Sequence, residues 1–212
     1  MSTIDRFRTV WEHCGGKDAD AVWATLDAGY TEPARAYHNW AHIEAMLAGL
    51  DKVSQVAGLD ARQRDEIELA IFFHDAVYDP LVKDNEAQSA SLFRQMTAEN
   101  GDFAADAVSR VADMIGATTE HKPSADPATQ VLLDLDLAVL GSSAETYRDY
   151  VSAVRREYAF VSDSDWRAGR AAVMRRFLER QHIYQTSQMA TREPAARANI
   201  ENEIKNLTDD PA

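Results

Sequence analysis

Ala70-Ile71-Phe72-Phe73-His74-Asp75 is the stretch that decides how this chain is read. Four apolar residues run straight into an imidazole and a carboxylate. A core-like segment that ends in two polar groups must find partners for them, because burying a polar group unpaired costs roughly 2–7 kcal/mol, and a charge costs more. A divalent cation is the simplest compensation. Adjacent His and Asp can both reach one ion if the helix ends or distorts there, and Pro80 shortly downstream predicts such an ending.

Outward from this stretch the chain reads as helix nearly throughout. Towards the N-terminus, Ile67, Leu69, Ile71 and Phe72 belong to the same helix, with Asp60 as its N-cap. Before it, Ile43, Met46, Leu47 and Leu50 mark a helix from His38 to about Ala57, which Gly58 would cap. Ile4, Phe7, Val10 and Trp11 form a first helix ended by Gly15-Gly16. Val22, Trp23 and Leu26 form a second, stopped near Gly29. After the His-Asp pair, residues 75–84 read as loop, and helices follow over 85–99 and 103–116. Residues 117–130, with Pro123 and Pro127, read as loop. Val131–Leu140 suits helix or strand by periodicity; its helical neighbours favour helix. Helices over 143–159, 164–181 and 194–208 complete an all-α chain. It is expected to be one domain over 1–212, with a metal-site core at about 35–142 and a C-terminal helical extension at about 143–208. The amphipathic last helix leaves room for a homodimer.

Composition sets limits on function. The chain has 212 residues, 45% hydrophobic and 27% charged, with a net charge of −13. That length buries a large core without staples. The charge argues against docking on duplex nucleic acid or an anionic membrane, though a bound cation can reverse the local sign for a small phosphorylated molecule. One cysteine, Cys14, excludes an internal disulfide framework and a thiolate metal cluster, and fits a reducing cytoplasm. Met1–Arg8 is charged and has no apolar signal core.

Three further places supply partners for His74-Asp75. Tyr37-His38-Asn39-Trp40-Ala41-His42 carries two histidines four apart, which share one face if both are helical. Asp134 and Asp136 sit among Leu133, Leu135 and Leu137, and His121 precedes them in a loop. Imidazole and carboxylate donors without thiolate suit Mn²⁺, Mg²⁺, Co²⁺, Ni²⁺, Fe²⁺ or Zn²⁺. His13 and His182 stand among charged neighbours and read as solvated.

The order His42, His74-Asp75, Asp136 resembles the H…HD…D signature of HD-domain metal-dependent phosphohydrolases. Tyr37-His38-Asn39-x-x-His42, Phe73-His74-Asp75-x-Val77-Tyr78, Asp84-Asn85-Glu86-x-x-Ser89-Ala90 and Leu135-Asp136-Leu137-Ala138-x-Leu140-Gly141 are similar to one bacterial family of that superfamily. The similarity continues through Tyr147, Tyr150, Arg155-x-Glu157-Tyr158 and Gly169-Arg170. It covers about residues 35–205 and implies an HD-type helical bundle.

The resemblance implies that His42, His74, Asp75 and Asp136 hold one divalent metal ion, Asp136 being chosen over Asp134 by its Asp-Leu-Ala-x-Leu-Gly tail. Two-metal members carry two further histidines between the HD pair and the last Asp. Here His121 stands alone, which favours one ion. The implied reaction is hydrolysis of a phosphomonoester, phosphodiester or pyrophosphate bond of a small molecule, with a nucleotide favoured. Asp79 and Glu86 are the candidate carboxylates for the attacking water and His121 the first candidate to offset phosphate charge. His38, Lys83, Arg155 and Arg170 are candidate substrate contacts, and Tyr37, Trp40 and Tyr78 candidate base-stacking groups. Two other classes compete: a metal-binding regulatory or nucleotide-binding protein with little turnover, and an HD-fold iron oxygenase, against which the shortage of histidines argues.

Overall fold

The computed structural model describes residues 1–53 and 58–209. Ten α-helices occur among them, with no strand. They are α1 (Thr3–His13), α2 (Ala19–Tyr30), α3 (Trp40–Val53), α4 (Ala61–Phe73), α5 (Asn85–Glu99), α6 (Ala105–Ala117), α7 (Pro127–Asp136), α8 (Ala144–Glu157), α9 (Asp163–Leu178) and α10 (Glu193–Thr208). Short 3₁₀ turns at Leu137–Gly141 and Ala190–Arg192 join the later helices. The expected end of the third helix near Ala57, and residues 210–212 of the expected domain, lie outside the described residues. No helix among the described residues is long and apolar enough to cross a membrane.

α4 is the central element. Asp60 and Gln63 close a capping box at its start, which satisfies backbone donors at that end. Every residue from Glu66 to Phe73 is buried, because α4 packs against α1, α3, α5, α6 and α7. The two acids in that run are paired: Glu66 with Arg62 and Arg110, Glu68 with Arg6. Phe7, Trp11, Phe72, Phe73 and Phe93 interlock around the helix, with ring centroids 5.0–6.4 Å apart. Burying each aromatic contributes about 1.5–3 kcal/mol. α1 and α2 therefore belong to the same hydrophobic core as the helices after residue 35.

A second apolar cluster gathers Leu137, Leu140, Tyr147, Met174, Ile183, Tyr184, Ala196 and Ile200. Here the amphipathic face of α10, which in the sequence suggested a second copy, is covered by α9 and the Leu137–Gly141 turn of its own chain.

Two elements differ from the sequence reading. α7 starts at Pro127, within the expected loop, because Asp126 caps it through the Thr129 backbone N–H at 2.8 Å and Pro127 suits the first helical position. α3 starts at Trp40, not His38, because the Asn39 side chain accepts the Ala41 N–H at 2.9 Å while Tyr37 and His38 give their N–H groups to Glu157. His38 thus stands before the helix, with its ring centroid 6.1 Å from that of His42.

Candidate metal centre

Three helix ends meet at one point. His42 lies on the first turn of α3, His74 is the C-cap of α4, and Asp136 is the last residue of α7. The end of α4 is fixed by Arg35, whose guanidinium is nearly fully buried. It donates to the carbonyls of Asp75 at 2.6 Å and Ala76 at 3.0 Å, so the backbone leaves the helix there. Ser89 of α5 receives the Val77 N–H at 3.0 Å and holds the outgoing strand of the turn. Arg35 and Ser89, rather than Pro80, set the geometry of the His-Asp turn.

His42 Nε2 stands 3.2 Å from His74 Nε2 and 3.2 Å from Asp136 Oδ1; His74 Nε2 stands 3.7 Å from the same Oδ1. Donor atoms about 2.1 Å from one cation are about 3.0 Å apart at right angles and about 3.4 Å apart in a tetrahedron. The His42, His74 and Asp136 group has the donor types and spacing to hold a metal ion. Asp75 Oδ2 approaches the same nitrogens, 3.0 Å from His74 and 3.6 Å from His42. His74 Nδ1 lies 2.9 Å from the Ile71 carbonyl, which fixes that nitrogen as the N–H and leaves Nε2 as the free donor atom. His121 Nε2 bonds the other Asp136 oxygen at 2.8 Å. The backbone of His121 sits at φ +49°, in the left-handed region, held by Arg180, which donates to its carbonyl at 2.8 Å.

Asp134 has a different task. Its carboxylate accepts the backbone N–H groups of Gln185 and Thr186 at 2.7 and 2.8 Å and the Thr186 hydroxyl at 2.6 Å. Two residues along α7 turn it away from Asp136, into the C-terminal segment.

Two cavities flank the centre. One, about 510 Å³, is bounded by His38, Asp75, Tyr78, Lys83, Glu86 and Arg170 among others. The other, about 850 Å³, reaches His42 and Asp136. Tyr150 contributes to both. Thus His38, Lys83, Glu86 and Arg170 come together beside Asp75. Arg170 is buried and balanced by Glu203 at 2.8 Å, and donates to Tyr150 Oη at 3.0 Å.

Asp79 and Arg155 border neither cavity. Asp79 accepts the Leu81 N–H at 2.9 Å, and its backbone pairs with the Asn85 side chain, so it shapes the turn before α5. Arg155 pairs with Asp163 at 2.6 Å and donates to the carbonyls of Tyr158 and Val161, closing the α8–α9 connection. Among the proposed stacking groups, Trp40 packs on Trp23 in the core at 4.4 Å. Tyr37 and Tyr78 face the larger and the smaller cavity respectively. His13 and His182 are exposed.

Glu157 carries a role that its place in the sequence did not assign. Its fully buried carboxylate accepts the N–H groups of Tyr37 and His38 at 2.7 and 3.0 Å, bonds His38 Nδ1 at 2.7 Å, and receives the Tyr78 hydroxyl at 3.0 Å. Burial pushes the His38 imidazole down, but Glu157 outweighs it and holds the ring above its usual value. Arg35 likewise carried no sequence signal; it lies in a Pro-Ala-Arg-Ala segment that reads as exposed loop.

Burial would raise Asp75 and Asp136, but the imidazoles around them hold both carboxyls below the ordinary range: His74 chiefly for Asp75, His121 and His42 for Asp136. Burial disfavours the His74 imidazolium, but the Asp75 and Asp136 carboxylates overcome this and push it up to about 9. A metal ion needs the neutral ring, so below that value binding must expel a proton. Apparent Mn²⁺ affinity is expected to rise about tenfold per pH unit between about pH 7 and 9 and then level off. Titration calorimetry in buffers of different ionisation enthalpy measures this; an affinity independent of pH would contradict it.

Comparison with family models, with curated proteins and with solved structures finds no match for this chain.

Proposed function

We propose that this protein is a metal-dependent phosphohydrolase acting on a small phosphorylated molecule, with a nucleotide as the favoured substrate. The observation that carries the reading is the convergence of His42, His74, Asp75 and Asp136 donor atoms between two cavities: Asp75 borders the one lined by Lys83, Glu86 and Arg170, and His42 and Asp136 border the other. The resemblance of the H…HD…D order to HD-domain phosphohydrolases supports it independently of the geometry.

One divalent ion held by those four side chains supplies a Lewis acid that lowers the pKa of water and offsets phosphate charge. The remaining work falls to the chain. Lys83 and Arg170 draw the phosphoryl group into the 510 Å³ cavity. Glu86 orients the attacking water and takes its proton. His38, held by Glu157 through Nδ1, presents its other ring nitrogen to a phosphoryl oxygen. His121 fixes the Asp136 carboxylate through Oδ2. Water attacks phosphorus, the P–O bond to the leaving group breaks, and the leaving oxygen takes up the proton that Glu86 removed from the water.

The test is phosphate release from nucleotides, pyrophosphate-containing metabolites and sugar phosphates with Mn²⁺, Mg²⁺, Co²⁺ or Ni²⁺ added. Glu86→Gln is expected to lower kcat about a hundredfold and leave metal content unchanged. A protein that binds metal stoichiometrically and turns over none of these substrates is the regulatory binder instead. Oxygen consumption with no phosphate released would identify an oxygenase.

A further inference from the structure

The 850 Å³ cleft has a composition that phosphate chemistry at the metal does not explain. Ala41, Ala45 and Ala48 line one wall along α3, and Met46, Leu135 and Val139 extend it. Such a wall offers methyl groups and almost no hydrogen-bond partners. The volume lies in the range that accommodates a whole organic ligand and greatly exceeds a phosphate group. Three cations line the same cleft: Lys52, Arg156 and Arg192. Lys52 and Arg156 are exposed and form no ion pair among the described residues, while Arg192 donates to the Ala138 carbonyl at 3.2 Å. Asp149 is the acid set against them outside the metal centre. In a chain of net charge −13, unpaired cations beside an apolar wall are selective for one kind of molecule.

We propose that this cleft binds an amphipathic organic anion. Its alkyl or aryl body lies on the Ala41/Ala45/Ala48 face, and its anionic group is met by Lys52, Arg156 and Arg192. Burial of the body supplies most of the affinity and the cations select the charge. The cleft also reaches His42 and Asp136, but the assignment rests on the α3 wall and the three cations, none of which the proposed reaction uses.

The experiment is titration calorimetry of the full chain, without added metal, against octyl phosphate below its micelle-forming concentration. Inorganic phosphate and 1-octanol are titrated in parallel. Octyl phosphate is expected to bind one per chain, at least about tenfold tighter than either fragment. Ala45 is exposed at the cleft, so Ala45→Phe fills the space without entering the core; it is expected to weaken octyl phosphate at least about tenfold. Lys52→Gln with Arg156→Gln is expected to weaken octyl phosphate similarly and leave 1-octanol unaffected. Circular dichroism checks that each variant keeps its helix content. The proposal is overturned if inorganic phosphate binds as tightly as octyl phosphate, if a folded Ala45→Phe variant binds unchanged, or if no saturable binding is seen. A dimer that Ala45→Phe converts to monomer would show that a second copy occupies the cleft instead. Loss of binding with phosphohydrolase activity intact, or the reverse, separates this assignment from the proposed reaction.

Discussion

Replacing His74 and Asp75 together by alanine is expected to reduce bound metal from one ion per chain to none and to lower kcat/KM by at least about 10³-fold, the scale on which loss of a central electrostatic group acts. The two side chains bring Nε2 and Oδ2 within 3.0 Å of each other and within 3.6 Å of His42 Nε2. Without them His42 and Asp136 remain as two donors, too few for a closed site. The variant also removes the crowding of imidazoles and carboxylates at the end of α4, so the fold itself should persist. The wild type should melt higher with Mn²⁺ than with chelator, by about 2.7 kcal/mol of stabilisation at a hundredfold excess over Kd. The double variant should show no such difference. Metal analysis by mass spectrometry, thermal melts and phosphate release read the three effects. Full metal content with full activity in the variant would refute the assignment of the centre.

Arg35→Ala is expected to destabilise the fold by about 3 kcal/mol and lower the melting temperature by about 6–12 °C. The guanidinium holds the Asp75 and Ala76 carbonyls at 2.6 and 3.0 Å and lies over the rings of Tyr30 and Tyr78, with centroids at 5.3 and 5.7 Å. Removing it leaves two buried carbonyls without a donor and frees the turn that places Asp75. Metal affinity should therefore fall with stability. Arg35→Lys should recover little, because one ammonium cannot reach both carbonyls in the planar geometry of the guanidinium. Denaturant melts with and without Mn²⁺ test the pair. If Arg35→Ala keeps wild-type stability and metal affinity, the turn is held by other means, with Ser89 the first to examine through its bond to the Val77 N–H.

These two expectations probe different layers of one construction. The donor atoms lie on helix ends, where the backbone changes direction and side chains from different helices can converge. What keeps them there is a set of buried polar groups around the centre: Arg35 behind the His-Asp turn, Glu157 behind His38, and the Ile71 carbonyl behind His74. Arg35 donates to backbone carbonyls, Glu157 accepts backbone N–H groups and the Ile71 carbonyl accepts from the His74 ring, so the first ring of groups is only as well placed as the second.

Much of this was readable in the chain. Helical periodicity, Asp60 before an apolar run and the glycine stops give an all-α architecture, because a helix writes its buried face into local spacing. The His74-Asp75 pair after Phe73 announced a burial problem, and His42 and Asp136 were identifiable as partners by order and resemblance. Periodicity could not say that α3 begins at Trp40, since that depends on Glu157, some 120 residues away, capturing the Tyr37 and His38 N–H groups. Nor could it separate Asp134 from Asp136 physically: both follow leucines, and only the position of Thr186 turns one to the C-terminal segment. Asp79 and Arg155 read as chemical groups and proved to fasten a turn and an interhelical connection, because exposed charges near a site have the same local signature whether they bind or brace. The sequence by itself thus determined the all-α architecture and named candidate metal donors. Tertiary structure alone decided which polar groups face a cavity and which hold the backbone, because hydrogen bonds between distant segments leave no periodic trace in the chain.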